Sequence, residues 1–147
     1  MSGFVFTRAV RFEEVDAAAI VFFGRFLSYG HEAMEALFGA LPGGYHGVVV
    51  KRGIGFPAVH VDADYTAPLR FGDTLTIELD VVKIGTTSCT FRYRMRRQDG
   101  VAVAIVHHTC VCCALEGPTK IPFPADVRAL LEAHLAAASD EATEPCP

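Results

Sequence analysis

The 147-residue sequence predicts an α+β fold in which a curved antiparallel sheet wraps around one long central helix. Three observations point there. One strand-like segment comes first, and a helix-period segment with an unusually wide apolar surface comes second. Four long alternating segments joined by tight turns complete the pattern. A helix lying on a surface needs only one apolar stripe, whereas one apolar over most of its girth needs neighbours on most sides.

Residues 4–12, "FVFTRAVRF", place Phe4, Phe6, Val10 and Phe12 on one strand face, with Arg8 interrupting it. After the connection "EEVDAAA", Phe22, Phe26, Gly30, Ala33, Leu37 and Leu41 recur at helical spacing, and so do Phe23, Leu27, Met34 and Phe38. Arg25, Ser28, Glu32 and Glu35 are the main breaks in that surface. Pro42, Gly43 and Gly44 end the helix. Residues 44–57 form a connection whose local structure the pattern does not fix. In residues 58–67, Val59, Val61, Ala63 and Tyr65 share one face, and His60, Asp62, Asp64 and Thr66 the other. Strands are also expected at 73–84, 86–97 and 101–115, turning at Phe71-Gly72-Asp73, Ile84-Gly85-Thr86 and Asp99-Gly100. A short amphipathic helix is expected at 125–135. One domain over residues 1–135 and a flexible tail over 136–147 complete the expectation.

Composition narrows the function classes. A net charge of −4 and a pI near 5.8 give no reason to expect a nucleic-acid partner. No window holds the roughly 18 consecutive apolar residues of a membrane span. The start "MSGFVFTRAV" lacks the basic and long apolar regions of a signal peptide. Of five cysteines, Cys89, Cys110, Cys112 and Cys113 sit in strand-like text and Cys146 in the tail, which is no disulfide framework. A cytoplasmic location fits this usage.

No G-x-S-x-G, phosphate loop, G-x-G-x-x-G or H-E-x-x-H motif is present. The run "HHTCVCC" invites a zinc reading, but strand alternation sends His108, Cys110 and Cys112 to one face and His107 and Cys113 to the other. Buried core thiols are expected instead, and no metal. Arg92, Arg94 and Arg96, with Arg97 and Lys83, form a basic row that is either a solvated outer face or a landing site for ligand phosphates. His60, Asp62 and Asp64 either line a pocket or bond at the surface. Asp16 has two readings. It is a helix cap, or it faces the amides at the helix start, where a carboxylate and N–H donors together can attack a carbonyl and hold the oxyanion that forms.

The stretch "VRFEEVDAAAIVFFGRFLSYGHEAMEALF" resembles the opening of hotdog-fold thioesterases of the 4-hydroxybenzoyl-CoA type. Their pattern runs from a strand ending in an aromatic, through an acidic stretch and D-x-x-G/A-I/V-V-aromatic, to an aromatic-rich helix. "YTAPLRFGDTLTIELDVVKIGTTSCTFRYRM" is similar to the family's P-x-x-x-G-D-x-L strand start with its subsequent Gly turn. Together the likeness covers Val10 to Ala114. It implies the hotdog fold, homodimers with sheets joined edge to edge and paired again into a homotetramer, and active sites at the dimer interface.

It further implies an acyl-CoA thioesterase that yields a free acid and coenzyme A, the latter being part of substrate and product, with no other cofactor. Asp16 takes the catalytic carboxylate position, as general base or nucleophile, and the backbone N–H of Phe23 the position that polarises the thioester carbonyl. Phe22 and Phe26 are candidates for an apolar acyl pocket, an aryl group being one candidate occupant, and His60 for substrate contact. Three departures matter. Relatives with His at the position of Phe23 use chemistry that does not transfer. Aromatic-acyl relatives often carry Gly where this chain has Ala19, and Ala is expected to serve if no positive φ is needed. A basic pair near the Gly85 turn is missing, leaving Lys83, Ser88 or the arginine row for the CoA nucleotide. Rivals are an acyl-carrier-protein thioesterase, a hotdog dehydratase, for which no His–acid pair is evident, and a non-catalytic acyl-CoA-binding hotdog protein.

Overall fold

The computed structural model describes residues 3–137, so most of the expected tail, Cys146 included, lies outside the described residues. The elements in chain order are β1 (Phe4–Ala9), a 3-10 turn (Phe12–Glu14), α1 (Arg25–Phe38), and α2 (Gly44–His46) running into a π turn (Gly47–Lys51). Then come β2 (Ile54–Gly55), β3 (Ala58–Tyr65), β4 (Thr74–Ile84), β5 (Ser88–Arg97), β6 (Ala102–Val111), β7 (Cys113–Ala114), β8 (Thr119–Lys120) and α3 (Ala125–Ala133).

Five strands pair antiparallel in the order β1-β4-β5-β6-β3, and β2, β7 and β8 make a small second sheet. The alternating residues behave as their period requires. Leu75, Ile77, Leu79 and Val81 of β4 and Cys89, Phe91, Tyr93 and Met95 of β5 are buried in one core with Phe26, Tyr29, Ala33, Met34 and Leu37 of α1. Gly30 allows a close approach of helix to sheet, since a Cβ there would stand 3.0 Å from the Tyr93 ring. This is the hotdog arrangement of sheet around helix. Among the described residues no helix is long and apolar enough to cross a membrane.

Several elements differ from expectation, each for a local reason. The helix runs over 25–38 rather than from 22 to 41, and Phe22 and Phe23 precede it in a turn, 49% and 65% exposed. The long strand at 101–115 breaks at Cys112, whose N–H donates to Thr87 O, and β7 beyond the break joins the second sheet. In β3 a register shift between Ala58 and His60 leaves Val59 exposed and gives its expected place to Ala58. Arg8 interrupts an apolar face because it has partners beneath it. It forms two 2.8 Å bonds to Glu14, a third to Glu32, and lies 4.4 Å from the Tyr29 ring centre.

The arginine row is no uniform solvated face. Arg92 is buried in a two-pronged pair with Asp80 at 3.0 and 2.8 Å, and Arg94 bonds both Asp80 and Glu78. Arg97 is taken up by Asp99. The four described cysteines are free and buried, with Cys89 and Cys110 facing across β5 and β6 at Sγ···Sγ 3.6 Å. Burial pushes the Cys112 thiol up to about 11.

Candidate active site

Asp16 sits in a tight reversal between Val15 and Val21, which pair across it as an antiparallel bridge. Its N–H donates to Ile20 O and its carbonyl accepts from the Ala19 N–H, both at 2.9 Å. One carboxylate oxygen, Oδ1, accepts the Ala18 N–H at 2.8 Å, an Asx turn that orients the side chain and leaves Oδ2 available. Asp16 is therefore not the helix cap. That position belongs to Gly24, which has no side-chain capping bond. The reversal needs a left-handed residue, and Ala19 supplies it at φ 65°. A positive φ is thus required where aromatic-acyl relatives often have Gly, and the Ala methyl group carries the strain.

On the far side of the reversal, Ile20 bridges to Arg70 and the Val21 N–H donates to Leu69 O at 2.7 Å. The Phe22 N–H donates to Glu14 O at 3.1 Å. The amides of Phe23 and Gly24 have no acceptor among the described residues, and the first turn of α1 holds no acidic side chain. An uncapped helix start of this kind presents N–H donors and partial positive charge. The Tyr65 hydroxyl, reaching over from β3, donates to Phe23 O at 2.9 Å and fixes the Phe23–Gly24 peptide, next along the chain from the Phe23 N–H.

These pieces meet in one cleft of about 480 Å³, lined by Asp16, Ile20, Val21, Phe23, Phe26, Tyr65 and the 66–69 segment. Beneath it, Glu14 ties the strand, the reversal and the helix together. It accepts from Arg8, from the Arg11 N–H at 2.8 Å and from the Tyr29 hydroxyl at 2.9 Å. Burial alone would raise its carboxyl, but these donors outweigh that cost and hold it at about 2. The same burial, reinforced by Glu14, pushes the Tyr29 hydroxyl up.

Of the residues singled out from sequence, Asp16, Phe23 and Phe26 line the cleft. Phe22 does not, and its ring packs against Phe23 with centroids 4.6 Å apart. His60 lies 66% exposed on the opposite face of β3 from Tyr65, bonded to Asp62 at 3.1 Å. Lys83 and Ser88 flank the β4–β5 turn, at the other end of strands that span some 30 Å. Within one chain, then, they are far from Asp16. Tyr65 and Glu14 were not singled out. Tyr65 carried a signal, as a large aromatic ending an alternating strand, but Glu14 looked like one more charge in an acidic connection.

A family model described as the thioesterase-like superfamily matches residues 10–131. A 1,4-dihydroxy-2-naphthoyl-CoA hydrolase from Synechococcus elongatus is 36% identical over 113 residues, covering 76% of this chain and 83% of that protein. A thioesterase-superfamily crystal structure from Jannaschia sp. CCS1 superposes with a TM-score of 0.85 at 29% identity, over 92% of this chain and 95% of that one. The crystal structure of a 1,4-dihydroxy-2-naphthoyl-CoA thioesterase from Synechocystis gives 0.79 at 25% identity, over 88% and 96%.

Proposed function

This chain belongs to the thioesterase-like superfamily and is a thioester hydrolase, and from that premise we propose that it hydrolyses aromatic acyl-CoA thioesters in the Asp16 cleft. One observation carries the assignment: a freely presented carboxylate and an uncapped helix start line the same apolar-walled cleft. The thioester carbonyl would lie between them. The Phe23 N–H stabilises the developing oxyanion, while Asp16 either takes a proton from the attacking water or attacks to form a mixed anhydride that water then opens. Both routes release the acid and the thiol of coenzyme A.

The aromatic preference draws on the Phe23, Phe26 and Tyr65 rings at the cleft and on the bicyclic aryl substrates named for the cyanobacterial relatives. Assembly belongs to the same proposal. Strand β3 pairs with β6 along one edge only among the described residues, and its other edge exposes Val59, Val61 and Tyr65 beside Leu27 and Phe23. A second copy pairing there would cover this surface and wall the cleft, and Lys83 and Ser88 of that copy or another remain candidates for the nucleotide.

The test is a thiol-release assay over aryl and aliphatic acyl-CoAs with wild type and Asp16→Asn. Asn keeps the Asx turn but can be neither base nor nucleophile, so a loss of about 10²-fold or more is expected. Comparable rates would overturn the assignment of Asp16.

A further inference from the structure

A second, smaller cavity of about 180 Å³ lies between α1, β3 and β6, lined by Leu27, His31, Ala58, Val61, Tyr93, Val106 and His108. It is in line with the first. Phe23, Leu27 and His31 succeed one another at four-residue spacing down α1, while Tyr65, Val61 and Ala58 step back along β3 in the opposite sense. The Phe26–Tyr65 edge contact, with centroids 5.1 Å apart, marks where helix and strand meet at the cleft end. The near wall of the small cavity, Leu27, is one helical turn, about 6 Å, from Phe23.

Its walls are apolar except at His31, whose Nε2 pairs with Glu35 at 2.7 Å, and at the Tyr93–His108 pair. The Tyr93 hydroxyl and His108 Nδ1 are 3.1 Å apart, and Tyr93 OH has no other partner among the described residues. Burial pushes the Tyr93 hydroxyl far up, so it keeps its proton and is able to donate it to Nδ1. Burial, with His31 nearby, pushes the His108 imidazole down, so the ring is neutral. A neutral ring that accepts at Nδ1 carries its proton on Nε2, and Nε2 has no partner among the described residues. The His108 N–H thus sits among mostly apolar walls, in a partly open space the size of a single ring, since an apolar cavity of roughly 150 Å³ holds benzene.

We propose that this cavity is a specificity subsite for a ring hydroxyl of the aryl acyl group, with His108 as its hydrogen-bond donor and Tyr93 as the residue that sets the His108 tautomer. The proposal rests on the aryl-CoA reading of the Asp16 cleft and names the chemistry that reading leaves open. A half-buried donor that meets an oxygen discriminates against an analogue lacking it, because the donor is then partly desolvated and unmet. Tyr93 acts through His108 and is a positioning residue.

The experiment compares kcat/KM for 4-hydroxybenzoyl-CoA against benzoyl-CoA, and for 1,4-dihydroxy-2-naphthoyl-CoA against 2-naphthoyl-CoA, in wild type, His108→Phe and Tyr93→Phe. Wild type is expected to favour at least one hydroxylated member by about tenfold or more. His108→Phe should bring that ratio to within about threefold, and Tyr93→Phe should fall between. Calorimetric binding of 4-hydroxybenzoate against benzoate gives the same contrast without turnover, and Tyr93→Phe covers the case in which His108→Phe does not fold. A ratio that persists in folded His108→Phe overturns the subsite, as does a wild type that turns over both members of each pair at one rate. A wild type inactive on every aryl-CoA is a different result, which removes the aryl-CoA reading and the subsite with it.

Discussion

Glu14 and Asp16 are carboxylates two residues apart on one short connection, and the fold treats them in opposite ways. Glu14 is 6% exposed and receives Arg8, the Arg11 amide and Tyr29. Asp16 lies at the cleft and receives one backbone amide, on one oxygen. Residue type and proximity are nearly constant between the two, so the donors each one meets decide its use. A carboxylate surrounded by donors is spent on holding structure; one left half-satisfied remains available to a ligand.

The sharpest way to break the comparison is to remove its structural member. Glu14→Ala leaves the buried Arg8 guanidinium with Glu32 as its remaining carboxylate partner, and a loss of about 3 kcal/mol in denaturant unfolding is expected. Asp16→Asn should show the converse: turnover falls by about 10²-fold, while stability stays within about 0.5 kcal/mol. If Asp16→Asn unfolded as readily as Glu14→Ala, the distinction between the two carboxylates would be lost.

Acid sharpens it. Glu14 is held at about 2 in the fold against an ordinary 4.5, so below pH 5 the unfolded chain takes up a proton that the folded chain refuses. Its contribution, up to about 3 kcal/mol, is complete above that range and lost progressively as pH falls toward 2. Stability profiles of wild type and Glu14→Gln should therefore converge in acid, and parallel profiles would count against the network. The smallest effect belongs to Ala19. Relieving its left-handed backbone with Ala19→Gly is worth about 1–2 kcal/mol, and glycine's extra freedom returns about 0.5–1 of that. A gain of up to about 1 kcal/mol should appear in denaturant unfolding, with little change in rate.

Much of this was legible in the residues. Period-two alternation located β3, β4 and β5, helical spacing located α1, and the Asp16–Phe23 segment carried the family's pattern. What alternation could not reveal was depth. Arg92 read as part of a solvated row or a phosphate site, and Arg8 as a break in an apolar face, because their partners, Asp80 and Glu14, come from other elements, and pairing across elements leaves no periodic trace. The same holds for the Lys83–Ser88 turn, adjacent to the site only if another copy brings it there. The Ala19 φ was hidden for a different reason: alanine does not advertise a left-handed position as glycine does. His108 was read as part of a cysteine-rich run, and its cavity became visible only once α1 lay across β6.

Tyr65 belongs both to the edge strand and to the peptide at the start of α1. Strand faces alternate every residue, so a one-residue slip of β3 against β6 would swing this ring to the convex side and release the Phe23 carbonyl. Turnover then audits the sheet: a chain that folds with β3 out of step keeps most of its hydrogen bonds but lacks the clamp on the peptide that follows the Phe23 N–H. Refolded preparations whose spectra match while their specific activities differ would carry that signature.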